Sequence, residues 1–331
     1  VVGTGAGRAL RVGVIGAGIM GSNHARVLAG LPGIELVGIV DPLPAHRARA
    51  TELIGCRTFA GLDQLIAEGV HAVTIAAPTH LHHEIALNCI ARDLHILVEK
   101  PIASTVEEGR DIVAAARRAG VTLMVGHVER FNPAVAAIKA ALSGEDILSI
   151  AITRVGPFPP RMSNVGVVID LAVHDIDLIR WFTESDIVEV QPQLSSAVAE
   201  REDIALLQFR TASGVLAHIN TNWLTPFKAR NVTVATRGKY VMGDLLTRQV
   251  TECFGFKPDG SYSMRHLPVG HDEPLRAELI AFLDAVRTPG GISAVTGDEG
   301  VASLEIAIRC LESPAKPAAA SARQGPRRVV G

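Results

Sequence analysis

The sequence predicts an α/β protein in two parts, a doubly wound parallel sheet over residues 10–126 and an α+β part with a large, open, mostly antiparallel sheet over 127–312. Three observations carry that expectation. The length of 331 residues exceeds what one compact core usually holds. Up to about residue 126, short apolar runs alternate with helical patterns, as in successive βαβ units. After about residue 147 the runs grow longer, alternate, and are joined by turn signals, as in an antiparallel sheet.

In the first part, Val12–Ile15, Leu36–Val40, Arg57–Phe59, Ala72–Ala76, Leu94–Val98 and Thr122–Val125 read as strands. The helical spacings between them fall at Ser22–Ala29, Ala45–Ile54, Leu62–Ala67, Leu81–Ala91 and Val106–Ala119. In the second part the strands are Ile147–Val155, Ile187–Val198, Ile204–Thr211, Val215–Trp223, Asn231–Thr236, Lys239–Met242 and Arg248–Phe254, with turns at Ala212-Ser213-Gly214 and Arg237-Gly238. A helix over Val168–Phe182 interrupts them, and Pro274–Arg287 and Asp298–Leu311 close the sequence. Residues 313–331, rich in Pro, Ala and Arg, make no packing face and are expected to be a flexible tail. Ala205, Leu207 and Phe209 on one face of a strand oppose Ile204 and Leu206 on the other. A sheet apolar on both faces needs two covers, helices on one side and a second subunit on the other, so a homo-oligomer is expected.

Composition narrows the function. Lys+Arg 32 against Asp+Glu 34 gives a net charge of -2, with no general attraction for nucleic acid or an anionic membrane, which favours a small-molecule partner. Cys56, Cys89, Cys253 and Cys310 form no C-x-x-C pair, so neither a structural zinc site nor a disulfide framework is expected, and a reducing cytoplasm is the expected setting. No apolar segment approaches the length of a membrane span, and no signal peptide is expected at the start.

The chemistry concentrates at a few places. The run into Gly16-Ala17-Gly18-Ile19-Met20-Gly21 ends a strand and opens a helix, and Asp41 ends the next strand twenty residues beyond Gly21. The first glycine suits a tight turn, the second lets backbone approach a pyrophosphate, and the third lets helix pack on strand. Gly3, Gly5 and Gly7 repeat the spacing with no strand before them. Asp41 suits a ribose diol and repels a 2′-phosphate; Pro42-Leu43-Pro44 supply no cation, although His46, Arg47 and Arg49 follow, so NAD is the expected cofactor. Pro78-Thr79-His80 follows another strand, with Thr79 suited to cap the next helix, His80 to line the cofactor pocket, and His82 and His83 to lie on the surface. Glu99-Lys100-Pro101 aims a cation into the crevice at a strand end, where the proline holds Lys100 extended.

Asp170 and His174, four apart on the expected helix, share a face, so the carboxylate can orient the imidazole for acid–base work. A surface ion pair and a metal site use the same spacing, but no third ligand of comparable quality is present. Asp177 and Arg180 read as an intrahelical pair. His127, Glu129 and Arg130, at the junction of the two parts, suit substrate contact, or Glu129 and Arg130 pair with each other. Arg130, Lys228 and Arg230 are the candidate donors to a substrate diphosphate.

Together these motifs resemble the oxidoreductase family that groups glucose–fructose oxidoreductase, inositol 2-dehydrogenase and MocA, over roughly residues 10–312. The resemblance implies a Rossmann domain joined to an open α/β domain whose sheet mediates dimers or tetramers. It implies that Lys100 contacts the reacting hydroxyl, His174 acts as acid–base, and Asp170 assists in orienting the substrate. A narrower likeness, to UDP-N-acetylglucosamine 3-dehydrogenases, rests on Gly126–Pro133, Asp170–Asp177 and Thr221–Arg230, while Asp244-Leu245 stands where an Asp-Tyr pair is expected. The expected activity is NAD-dependent oxidation of a secondary hydroxyl on a sugar or sugar nucleotide. A polyol dehydrogenase, a non-catalytic NAD-binding sensor and a redox-assisted glycosidase are the alternatives.

Overall fold

The computed structural model describes residues 9–159, 165–288 and 290–312. The expected tail at 313–331 and the glycines at 3, 5 and 7 lie outside the described residues.

The first sheet is built from β1 (Leu10–Ile15), β2 (Ile34–Val40), β3 (Thr58–Phe59), β4 (Ala72–Ile75), β5 (His95–Glu99) and β6 (Leu123–Gly126). Its strands are parallel in the order β3-β2-β1-β4-β5-β6, as the alternation of strand and helix signals predicts. The helices between them are α1 (Ile19–Ala29), α2 (Pro44–Ile54), α3 (Leu62–Ala67), α4 (His82–Ile90) and α5 (Val106–Ala119). Thr105 caps α5 by accepting from the Glu108 N–H, and the Glu108 carboxylate returns to the Thr105 N–H, which satisfies donors at both ends of the first turn. Strand order reverses between β1 and β4, where the chain after β1 and after β4 splays apart and leaves a crevice at the carboxyl ends.

The second sheet contains β7 (Ile147–Pro157), β8 (Ile187–Ser195), β9 (Ile204–Thr211), β10 (Leu216–Asn222), β11 (Leu224–Thr236), β12 (Lys239–Asp244), β13 (Gln249–Phe254) and β14 (Ser263–Leu267). Their order is β14-β13-β12-β11-β7-β10-β9-β8, antiparallel except for β7 beside β10. Helices α6 (Pro133–Ala141) and α7 (Val173–Thr183) bury one face of it, with Ile150, Ile152, Leu207, Ile219 and Val234 beneath them. The opposite face stays open, and Leu206 and Leu216 are half exposed there.

The structure corrects several expectations. Strand β14 and helix α6 carry no signal that the sequence reading used, because β14 is polar and exposed and α6 is a short Ala-rich segment. Strand β11 starts seven residues before the expected Asn231, because Leu224 pairs with Pro157 across an irregular register. The helix expected over Val168–Phe182 is two pieces: Val168–Ala172 forms one wide π turn before α7. The closing helices α8 (Pro274–Arg287) and α9 (Gly297–Glu312) follow the second sheet in sequence but not in packing. Leu275, Leu279 and Phe282 of α8 join the core of the first sheet, and α9 packs on both α5 and α7. Chain order assigns α8 to the second part; burial assigns it to the first.

Candidate active site

The site lies at the carboxyl ends of β1, β4 and β5, and its first wall is the turn from β1 into α1. Gly16 has φ +99°, and a Cβ there would stand 2.5 Å from the Ala76 carbonyl oxygen. At Gly21 a Cβ would meet the Gly16 carbonyl oxygen at 1.8 Å, so helix and turn can touch only through glycine. Gly18 differs: nothing stands within 4 Å of where its Cβ would be. It is the residue before the first turn of α1 and has no side-chain cap, so the unpaired N–H groups face open space of the kind a pyrophosphate takes. Ile19 and Met20 are exposed beside it, although both are apolar and sit at the start of a packed helix. These residues therefore fit a bound dinucleotide.

Asp41 closes this wall. Its carboxylate accepts from the N–H groups of Ala17 and Leu43, each at 2.8 Å, and so holds the glycine turn against the end of β2. The structure also brings His46 Nδ1 to 3.2 Å from that carboxylate and lays Arg47 on the Asp41 and Pro42 carbonyls at 2.7 and 2.9 Å. Two of the basic residues that the sequence places further along, His46 and Arg47, are thus folded back beside Asp41 by the first turn of α2.

Pro78, Thr79, His80, Lys100 and Asp170 line one cleft of about 730 Å³. Thr79 does not cap α4 as expected; it opens a short 3-10 turn, Thr79–Leu81, with no side-chain cap bond. His82 is not a surface residue either. It is buried, with its two ring nitrogens on the Pro101 and Ala77 carbonyls at 2.9 Å each, where it ties the segment after β4 to the segment after β5. His83 meets Asp111.

Lys100 follows Glu99 at the end of β5, and its peptide bond to Pro101 is cis. Its Nζ donates to the Asp170 backbone carbonyl at 2.7 Å and lies 3.4 Å from the Asp170 carboxylate. Asp170 therefore attends to Lys100, not to His174 as the i, i+4 spacing suggests, because the π turn rotates it off the face it would share on an α-helix.

His174 is partly buried, and its Nδ1 is enclosed with no hydrogen-bond partner. Burial first, then the positive charges of Lys100 and Arg154, hold its imidazole well below the ordinary histidine range, so it is neutral at physiological pH. His127 stands edge-on to it, ring centroids 6.1 Å apart, and burial lowers that imidazole as well.

Beneath His174 runs a buried ion network that the sequence reading missed. Arg154 of β7 grips Asp175 with three contacts of 2.8 to 3.0 Å and donates to Glu129 at 2.7 Å, and Arg230 of β11 reaches the same Glu129 oxygen at 2.9 Å. Burial works against the Arg154 charge, but Asp175 and Glu129 outweigh it and hold the guanidinium protonated. Arg154 stood unremarked in an alternating strand; an arginine at an inward position of an otherwise apolar face is the signal that could have found it.

Two expected pairings fail here. Glu129 and Arg130 do not pair with each other: Glu129 belongs to Arg154 and Arg230, and Arg130 to Asp177 and Glu299, all at 2.7 to 2.9 Å. Asp177 and Arg180 are not an intrahelical pair, since Arg180 turns to Asp186. Arg130 is buried with both ends of its guanidinium engaged, so it offers no donors to a substrate phosphate. His127 and Glu129 are likewise buried. Lys228 is exposed, lying across Gly156, and Arg230 is one-third exposed.

Residues 10–127 match an oxidoreductase family described as having an NAD-binding Rossmann fold, and residues 149–241 match the Gfo/Idh/MocA C-terminal domain. The UDP-N-acetylglucosamine 3-dehydrogenase of Acidithiobacillus ferrooxidans is 30% identical over 72% of this chain and 74% of its own. Its crystal structure superposes with a TM-score of 0.85 at 26% identity, covering 92% of this chain and 98% of that one. Inositol 2-dehydrogenase 4 of Saccharopolyspora erythraea is 31% identical over 93% of this chain and 95% of its own. The structure of GenD2 from gentamicin A biosynthesis, in complex with NAD, has a TM-score of 0.79 at 25% identity and covers 96% and 97% of the two chains.

Proposed function

The chain belongs to the Gfo/Idh/MocA family of NAD-binding oxidoreductases, and we propose that it oxidises a secondary hydroxyl of a sugar or sugar nucleotide, first of all the C3 hydroxyl of a UDP-N-acetylhexosamine. The observation that carries the reaction is the Lys100 ammonium held by Asp170 in one wall of the cleft, within electrostatic reach of an imidazole that stays neutral. In this reading the substrate hydroxyl lies between them. Lys100 donates to the oxygen and favours the negative charge that develops as the proton leaves. His174 takes that proton; with Nδ1 enclosed, Nε2 is the nitrogen open to a hydroxyl. NAD, when bound on the Gly16–Gly21 turn, supplies the hydride acceptor. Asp170 fixes the direction of the Lys100 side chain.

The sugar-nucleotide reading is supported by the likeness to the Acidithiobacillus enzyme over nearly the whole fold. With Arg130 engaged elsewhere, Lys228 and Arg230 are the cations that would meet a diphosphate. The second reading is an inositol or other polyol, favoured by the inositol dehydrogenase that aligns along almost the full chain. A polyol needs no phosphate donor. Turnover with NAD is to be compared for UDP-N-acetylglucosamine, N-acetylglucosamine and myo-inositol, with UDP as inhibitor and Lys228→Ala as variant. Preference for free inositol, or indifference to UDP, removes the sugar nucleotide and leaves the hydroxyl oxidation standing. Strict preference for NAD over NADP follows from the Asp41 carboxylate, and equal turnover with NADP would show that His46 and Arg47 override it. The open face of the second sheet, with Leu206 and Leu216, is the expected contact with a second copy in a dimer or tetramer, to be read by light scattering.

A further inference from the structure

Glu278 of α8 has no exposed surface, and neither of its carboxyl oxygens has a hydrogen-bond partner among the described residues. An ionised carboxylate in that position would forfeit its hydration with nothing in return. Its neighbours are Glu99 and His24, and one nitrogen or oxygen from each of the three lies within 4.8 Å of the other two.

Glu99 is already provided for as an anion. It meets His24 Nε2 at 2.9 Å and accepts the Lys100 backbone N–H at 3.2 Å. Gly126 of β6 makes room for it, since a Cβ there would stand 3.2 Å from the Glu99 carboxylate. Two carboxylates this close do not both ionise, and the better solvated one keeps the charge. Burial opposes the charge on Glu99, but His24 and Lys100 outweigh it; for Glu278 burial and the Glu99 charge act in the same direction, upward.

We propose that Glu278 is a neutral carboxylic acid that directs its proton to the Glu99 carboxylate and so positions Lys100, a role that rests on the reading of Lys100 given above. The cluster joins three elements that the reaction needs in register. His24 is on α1, whose start forms the cofactor turn; Glu99 ends β5 one residue before Lys100; and Glu278 comes from α8, far along the chain. With the Glu278 donor in place, the Glu99 carboxylate is held from several sides and the Lys100 backbone leaves the strand in one direction. Glu278 touches neither substrate nor cofactor in this scheme and is a positioning residue.

The test compares Glu278→Gln, which keeps a donor, with Glu278→Leu, which keeps volume and loses it. Circular dichroism and NAD affinity establish that each variant is folded. We expect kcat to fall about tenfold in Glu278→Leu, the effect of one hydrogen bond, with KM for NAD unchanged, and to recover to within about twofold of wild type in Glu278→Gln. Infrared difference spectra of protein labelled with carboxyl-¹³C glutamate should contain a protonated-acid carbonyl band at neutral pH that Glu278→Gln abolishes. Equal kcat in the two variants, or the absence of that band from the wild type, overturns the proposal. So does a stoichiometric divalent metal in the purified protein, because two carboxylates and an imidazole at this spacing are also a ligand set. If Lys100→Ala leaves turnover intact, the reading of Lys100 fails, while the infrared band and the metal analysis still decide the state of Glu278.

Discussion

Along the Gly16–Gly21 turn, the groups left open are backbone N–H groups of one short segment, shaped by Gly16 and Gly21, which pack against their own neighbours. Around His174, by contrast, the groups that set its state are side chains from separate elements: Lys100 after β5, Arg154 on β7 and Arg230 on β11. The two walls suit different tasks. A pyrophosphate needs donors in a fixed arc, which a local backbone turn supplies without help from distant residues. An imidazole that must stay neutral beside a lysine needs low solvation and nearby positive charge, which only packed layers can supply. Damage should therefore spread differently from the two sides.

The largest expected effect is on the chemical step. His174→Ala and Lys100→Ala should each lower kcat by ~100- to 10,000-fold, while NADH binding followed by fluorescence stays within a few-fold of wild type. A loss of only a few-fold in His174→Ala would remove it from the mechanism.

Breaking the network behind His174 should act on stability. Arg154→Met leaves Asp175 and Glu129 buried without their main partner, and removing one member of a buried ion pair costs about 3–5 kcal/mol. The urea midpoint is the measurement, and a midpoint near that of wild type would mean that the network contributes no net stability.

Gly18→Ala sharpens the contrast. Its Cβ meets no protein atom, so the fold should keep its Tm, while the methyl group occupies space for the pyrophosphate and weakens NAD binding by about tenfold, roughly 1.4 kcal/mol. Unchanged NAD affinity would place the cofactor elsewhere.

The smallest effect is in the pH profile. The folded value of His174 lies below its unfolded one, so the unfolded chain takes up the proton first as pH falls. The stability this histidine contributes is complete above about pH 6.5, the ordinary imidazole value, and is lost as pH drops from there through its folded value. The acid limb of kcat/KM assigned to His174 should likewise lie below pH ~6.5 and move to higher pH in Arg230→Gln, which deletes one of the charges that depress it. An acid limb at or above the ordinary imidazole value would mean that His174 is solvated in the working enzyme.

What could be read in the sequence was what depends on neighbours along the chain. Strand β1, the glycine turn, Asp41 and the strand that ends at Lys100 are contiguous patterns, and the parallel order of the first sheet follows from alternating strands and helices. Asp170 and His174 were visible as residues but not as partners, because four positions apart implies one face only where the helix is α, and the π turn moves Asp170 onto Lys100.

The sequence by itself determined the two-part α/β architecture and the dinucleotide turn, and it put Lys100 and His174 forward as candidates. Tertiary structure alone decided which charges meet. It took Arg130 out of reach of any phosphate by giving it Asp177 and Glu299, placed Arg154 beneath His174, and returned α8 to the first core with Glu278 beside Glu99. Local backbone geometry depends on residues a few positions apart. Burial and long-range charge depend on which layers face each other, and that is settled only when the whole chain has packed.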